Sequence, residues 1–119
     1  MHTAANVANV AIIAVALLHL YFLVLEMFLW TKPMGLRTFR LTPEFAQQSK
    51  GLASNQGLYN GFLAAGLLWS VAADDFHLKL FFLSCVIIAG IFGAVTVNRR
   101  ILVIQALPAF IALVLVHLH

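Results

Sequence analysis

His19 and Glu26 stand seven residues apart in the stretch AIIAVALLHLYFLVLEMFLW, residues 11–30, whose other side chains all suit a lipid environment. Seven residues is close to two turns of an α-helix, so both side chains leave one face, one above the other. An imidazole titrates near neutral pH, and a carboxyl taken out of water favours its protonated form. The pair therefore suits proton exchange or general acid–base chemistry. An ionisable residue at membrane depth costs about 2.5–3.5 kcal/mol on insertion scales, which makes it a functional-site candidate by default.

A second polar patch, Ser54-Asn55-Gln56-Gly57-Leu58-Tyr59-Asn60-Gly61, supplies amides and a phenol. Gln56 and Asn60 share one helical face and Asn55 and Tyr59 the neighbouring one. His19, Glu26, Asn55, Gln56, Tyr59 and Asn60 form the candidate ligand-binding set, with His19 and Glu26 as the candidate acid and base. The set shares a depth: Glu26 lies one turn from the end of its helix, and Asn55 and Gln56 about one turn into theirs from the same side. His19, about 10 Å deeper than Glu26 at 1.5 Å per residue, falls near the level of Asn60. Thr96, Asn98 and Gln105 reach the same end, so the polar groups converge in one half and leave the other apolar.

A metal shared by His19 and Glu26 is not expected. Two ligand atoms on one metal stand some 3–4 Å apart, too close for side chains two turns apart on one straight helix. His77, His117 and His119 belong to the opposite end, and His2, His117 and His119 read as solvated termini. No motif names a cofactor. The lone Cys85 excludes an intrachain disulfide and reads as a small buried hydrophobe.

The elements that must position these groups are helices. With 119 residues, 63% hydrophobic and 9% charged, the chain is one domain far from soluble usage, where about a quarter of residues are charged. Apolar segments at about 7–30, 52–73, 76–97 and 101–119 each approach the roughly 20 residues a bilayer core requires. The reading is all-α: a four-transmembrane-helix antiparallel bundle, a single integral membrane domain over residues 1–119. The first segment lacks preceding Lys or Arg and a small-x-small site after Glu26, so it does not read as a cleaved signal peptide.

Six cations (Lys32, Arg37, Arg40, Lys50, Arg99, Arg100) flank the first and third loops, and Lys79 alone lies near the second, beside Asp74 and Asp75. This places loops one and three in the cytoplasm and both termini outside, in the plasma (inner) membrane. Trp30 and Trp69 then mark opposite interfaces. The basic residues sit in loops rather than along a face, which argues against nucleic acid. Arg37 and Arg40 most simply meet anionic lipid headgroups, so membrane lipids are expected partners.

In loop one, Thr42-Pro43-Glu44 reads as a helix start, with a hydroxyl N-cap and proline at the first helical position. It opens a short interfacial segment leading into helix two. Gly57, Gly61 and Ala65 form a small-residue stripe for close helix packing, as do Ala89, Gly90, Gly93 and Ala94 in helix three. Pro108 should bend helix four and free the carbonyl of Ile104 beside Gln105.

The stretches HLYFLVLEMFLW (19–30) and ASNQGLYNGFLA (53–64), with LTPEF (41–45) between them, resemble the small membrane-protein family known as domain of unknown function 1304. The resemblance covers essentially the whole chain. It implies a four-helix integral membrane protein with His19, Glu26, Asn55, Gln56, Tyr59 and Asn60 as its signature, and it implies no reaction. In size and layout the chain is also similar, more loosely, to four-helix membrane proteins associated with redox or quinone metabolism.

Three functions are compatible with the residues. In the first, the polar pocket binds an amphipathic or lipophilic small molecule, with a proton exchanged on Glu26, as in small exporters. The charge bias sets one orientation and so argues against a dual-topology dimer, while leaving a homo-oligomer open. In the second, His19 and Glu26 act as acid and base on a lipid-phase substrate polarised by Asn55, Gln56 or Tyr59. No nucleophile–base motif, phosphate loop or redox Cys pair strengthens it. In the third, His19 and Glu26 are interhelical clamps bonded to the amides of helix two, and the chain is a structural subunit of a membrane complex.

Overall fold

A proline and two residues at positive φ mark the first three turns between helices. The computed structural model describes residues 3–118, so His2 and His119, read above as solvated termini, lie outside the described residues. Helix α1 spans Thr3–Met27 and ends three residues before the expected Trp30. Pro33 explains the early stop: the residue before a proline is driven out of the helical region, and Lys32 is extended at φ −91°, ψ 165°. Pro33 then opens a short helix α2, Pro33–Phe39, where its missing N–H costs nothing. Arg40 closes α2 in the left-handed conformation, φ 55° and ψ 49°, and the Leu41 amide returns to the carbonyl of Leu36.

Thr42 caps α3 as expected, its Oγ1 accepting from the amide of Phe45 at 3.2 Å. Helix α3, however, runs from Pro43 to Ala72 without interruption, nine residues longer at its start than the expected boundary at 52. The interfacial segment and helix two are therefore one element. Only Gly51 could interrupt residues 43–52, and a mid-helix glycine costs only about 1 kcal/mol relative to alanine.

Asp74, at φ 48°, turns the chain after α3, and Asp75 caps helix α4 (Phe76–Thr96), accepting from the amide of Leu78 at 3.0 Å. Lys79 is not a free loop cation. Its side chain is 2% exposed, and its Nζ reaches back 2.9 Å to Oδ1 of Asp74.

After α4 the chain re-enters helical structure as a π segment, Leu102–Ala106, continuous with α5, Leu107–His117. The Leu107 amide bonds to the carbonyl of Leu102, five residues back, immediately before Pro108. The expected disturbance at Pro108 thus takes the form of a widened turn, a common way for a helix to absorb an irregularity. Gln105, in that turn, donates from Nε2 to the carbonyl of Val86 on α4 at 3.4 Å. Gly90 makes the approach feasible, because a methyl group there would lie 2.9 Å from both the nitrogen and Cβ of Ala106.

The described residues are thus all-α and fall into two compact units. One is Leu17–Ala64, holding α2 and parts of α1 and α3; the other is formed by the remaining described residues. Ala8, Ile12, Val15 and Ala16, at helical spacing, are buried in the latter unit, as are Leu83, Val86 and Gly90 on α4 and Ala109, Ala112 and Val116 on α5.

Two helices, Ala5–Met27 and Phe76–Thr96, are long and apolar enough to cross a membrane, and Leu102–His117 is a shorter apolar helix. Helix α3 has the length, but Gln47, Gln48, Lys50, Asn55, Gln56 and Asn60 dilute its hydropathy. Of the four expected spans, these two are long and apolar enough among the described residues. Their outward faces carry large apolar side chains, including Val10, Ile88 and Phe92, each about two-thirds exposed.

Candidate functional site

Within the unit Leu17–Ala64, α1 and α3 approach along a stripe of small residues. Ala46, Ala53, Gly57, Asn60 and Ala64 are buried at helical spacing on α3. A methyl group at Gly57 would lie 3.1 Å from Cβ of Glu26 and 3.3 Å from the carbonyl oxygen of Leu23; one at Gly61 would lie 2.7 Å from Cδ1 of Leu23. Gly57 and Gly61 of the expected stripe are thus in contact, whereas Ala65 is exposed and Ala64 is buried in its place; the seam sets the register, with the end of α1 beside Gly57. Residues 43–56 of α3 continue past it for roughly 21 Å.

That register pairs Asn60 with Glu26. The Asn60 amide donates from Nδ2 to Glu26 Oε1 at 2.6 Å, a short bond suited to a carboxylate acceptor. Asn60 is therefore level with Glu26 and not with His19, contrary to the depth expected from sequence. The register follows the contacts of Gly57 with Glu26 and of Gly61 with Leu23, not an alignment of the two helix ends. His19 is fully buried, with its ring edge-on to Phe22 at 5.9 Å and 71°.

Asn55, Gln56 and Tyr59 do not join this group. Tyr59 is 55% exposed and stacks edge-on with Phe62, and both Asn55 and Gln56 are exposed. At 100° per residue, Gln56 falls roughly 70° from the centre of the buried stripe, and Asn55 and Tyr59 more than roughly 90° from it. The four-residue spacing of Gln56 and Asn60 put them on one side, but the stripe is narrower than that side.

Beside Glu26 lies an open cleft of about 330 Å³. Glu26, Met27, Phe28, Trp30 and Thr31 line it from the end of α1, and Lys50, Gly51 and Ser54 from α3. Trp30 is fixed there from two sides. Its indole Nε1 donates to Ser49 Oγ at 3.0 Å, and its ring tilts against Phe39 at 4.9 Å. Ser49 in turn donates to the carbonyl of Phe45 at 2.7 Å. Gly35 is buried against the carbonyl of Leu29 and Cα of Trp30, so α2 lies directly against the turn that carries Trp30.

Sequence reasoning took Trp30 as a belt residue and Lys50 as a topology signal, and left both out of the site. The signal that finds them is the uninterrupted α3. Lys50 and Ser54 sit at helical spacing from Ala46, Ala53 and Gly57 once the helix is carried back to Pro43. The cleft offers a carboxyl held by one amide, an ammonium toward the loop end, two hydroxyls and an aromatic wall.

These features define a small helical protein with two apolar helices and a carboxylate-bearing cleft at the end of the first. The chain belongs to the family described as "Protein of unknown function (DUF1304)", whose model matches residues 13–117 and so includes His19, Glu26, the cleft and Pro108. It is 30% identical over 104 residues to "Uncharacterized protein YpaA" of Lactococcus lactis subsp. lactis (strain IL1403), covering 84% of this chain and 87% of that one. No solved structure matches the chain.

Proposed function

We propose that the protein is an integral membrane protein that binds an amphipathic or lipophilic small molecule in the cleft at Glu26, exchanging a proton on that carboxyl for its guest. The observation that carries the reading is the Glu26–Asn60 hydrogen bond at the wall of an open cleft of about 330 Å³, a volume within the range of small-molecule sites. A half-buried carboxyl in the last turn of an apolar helix is costly to keep, and a single interhelical hydrogen bond returns little, about 0.6 kcal/mol on average. The exposed apolar faces of α1 and α4 support a lipid environment.

In this reading α1, the later part of α3, α4 and the π segment with α5 form four antiparallel spans in the plasma (inner) membrane. Both termini lie outside, and the cleft opens in the cytoplasmic half among Arg37, Arg40 and Lys50. Membrane lipids cover the outer faces, and copies of the chain can associate through them. The acid–base enzyme reading has less support, because His19 does not line the cleft. A structural subunit has no use for an open cleft around a carboxyl.

Two experiments test the proposal. Cysteines introduced singly at Arg37 and Asp75, with Cys85→Ser as background, are challenged with an impermeant thiol reagent from outside. Labelling at position 75 alone is expected, and labelling at 37 alone overturns the orientation. Separately, cationic, anionic and neutral aryl amphiphiles are titrated against protein in lipid nanodiscs, reading heat and released protons. At least one class is expected to bind wild type with proton release, and Glu26→Gln, which keeps the shape and removes the titrating proton, is expected to release none. Failure of every class to bind overturns the proposal.

A further inference from the structure

We propose that the guest of this cleft is an organic cation: an ammonium with an apolar or aryl body, bound by the carboxylate of Glu26 against Phe28 and Trp30. The inference rests on the binding function proposed above and narrows its ligand class. The polar groups at the deep end are asymmetric. Glu26 lines the cleft with one oxygen committed to Asn60, and among the described residues Oε2 accepts no hydrogen bond. A carboxylate oxygen only accepts, so its complement is a donor or a cation. An anionic head at that depth would meet like charge.

The walls match the same guest. Phe28 is 65% exposed at the cleft, and Trp30 lines it while held by Ser49 and Phe39, so its ring is fixed before any ligand arrives. Aromatic faces attract ammonium groups and also accept an apolar body. Asn60 holds Glu26 in the same way, so little side-chain freedom remains to be lost on binding.

Lys50 lies on the same cleft and carries the opposing charge. It is exposed and ten residues before Asn60 on α3, so its Cα stands roughly 15 Å from the level of the Glu26 carboxylate. An exposed charge at the loop end of the cleft is screened by water and salt. Lys50 therefore weakens binding of a cation only slightly, and it excludes none. Proton coupling follows directly: a proton and an organic cation compete for one carboxylate, whereas a neutral guest would displace no proton.

The test uses the full chain in nanodiscs of zwitterionic lipid, with Trp69→Phe so that Trp30 alone reports by fluorescence. The probes are benzyltrimethylammonium, its neutral carbon isostere neopentylbenzene, and benzylsulfonate. Saturable change with benzyltrimethylammonium is expected, with affinity falling on acidification. Glu26→Gln is expected to lower affinity at least tenfold and to abolish the pH dependence; Lys50→Ala should raise affinity up to a few-fold. Circular dichroism confirms that each variant keeps its helices, and Glu26→Asp, retaining the charge, should recover part of the affinity. Binding of neopentylbenzene or benzylsulfonate but not the cation overturns this inference and leaves the cleft standing as a small-molecule site without proton exchange. Cation binding unchanged by Glu26→Gln overturns it too, and no binding by any probe overturns both.

Discussion

Gly35→Ala is expected to cost about 3 kcal/mol of local stability, the upper end of what an overpacked site loses. A methyl group at Gly35 would overlap the carbonyl oxygen of Leu29 and stand 2.8 Å from its carbonyl carbon and 2.9 Å from Cα of Trp30. All three are backbone atoms, so no rotamer change relieves the overlap. Either α2 or the turn at residues 28–32 must move. Alanine's better helix propensity, worth about 1 kcal/mol, offsets only part of this. The loss should fall where Trp30 is held, through its bonds to Ser49 and Phe39. In a Trp69→Phe background the Trp30 emission should shift toward that of a solvated indole, and protease should cut faster between Phe28 and Arg40. Helical content should stay nearly constant, because α1 and α3 keep their own backbone bonds. Unchanged Trp30 emission would show that α2 does not hold the turn.

Asn60→Leu has the next largest expected effect, about 2 kcal/mol. Interhelical hydrogen bonds in membranes average about 0.6 kcal/mol, with a maximum near 1.7. Bonds to charged groups contribute about 1.5–3 kcal/mol, and losing one partner adds the cost of a stranded polar group. Glu26 has no second hydrogen-bond donor among the described residues, so Asn60→Leu belongs at the upper end. The double variant Glu26→Leu with Asn60→Leu removes both partners and should be near wild type in stability, since an apolar pair needs no donor. A double-mutant cycle in thermal unfolding separates the two terms. Additive losses in the double variant would mean that the 2.6 Å contact contributes no coupling.

The helices were legible because their ends are written in local chemistry. Thr42-Pro43 starts a helix where read, whereas the Asp75 cap of α4 went unread and its boundary came from hydropathy. The length of α3 was misread because hydropathy marks where a helix turns apolar, not where it begins. That error carried into the site. Glu26 with Asn60 was recognisable from residue type, but which amide reaches the carboxyl depends on register, and register follows the contacts of Gly57 and Gly61 with α1. Asn55, Gln56 and Tyr59 share the polarity of Asn60 but not its side of α3, a distinction drawn by the narrow Ala53–Gly57–Asn60–Ala64 stripe. Lys50 and Trp30 look like ordinary interfacial residues until the helix carrying one and the turn carrying the other are placed together.

The π segment at Leu102–Ala106 bears on how the chain compares with others of its family. A widened turn accommodates one residue more than an unbroken α-helix would over the same rotation. The surplus is local, so Ala106 before Pro108 still meets Gly90, and Gln105 still reaches Val86. A relative one residue shorter in this stretch and α-helical throughout would present the same faces of α4 and α5 to each other. Gaps of a single position between residues 101 and 107 are therefore tolerable, whereas a gap inside the Gly57–Asn60 seam would turn the Asn60 amide away from the carboxyl of Glu26.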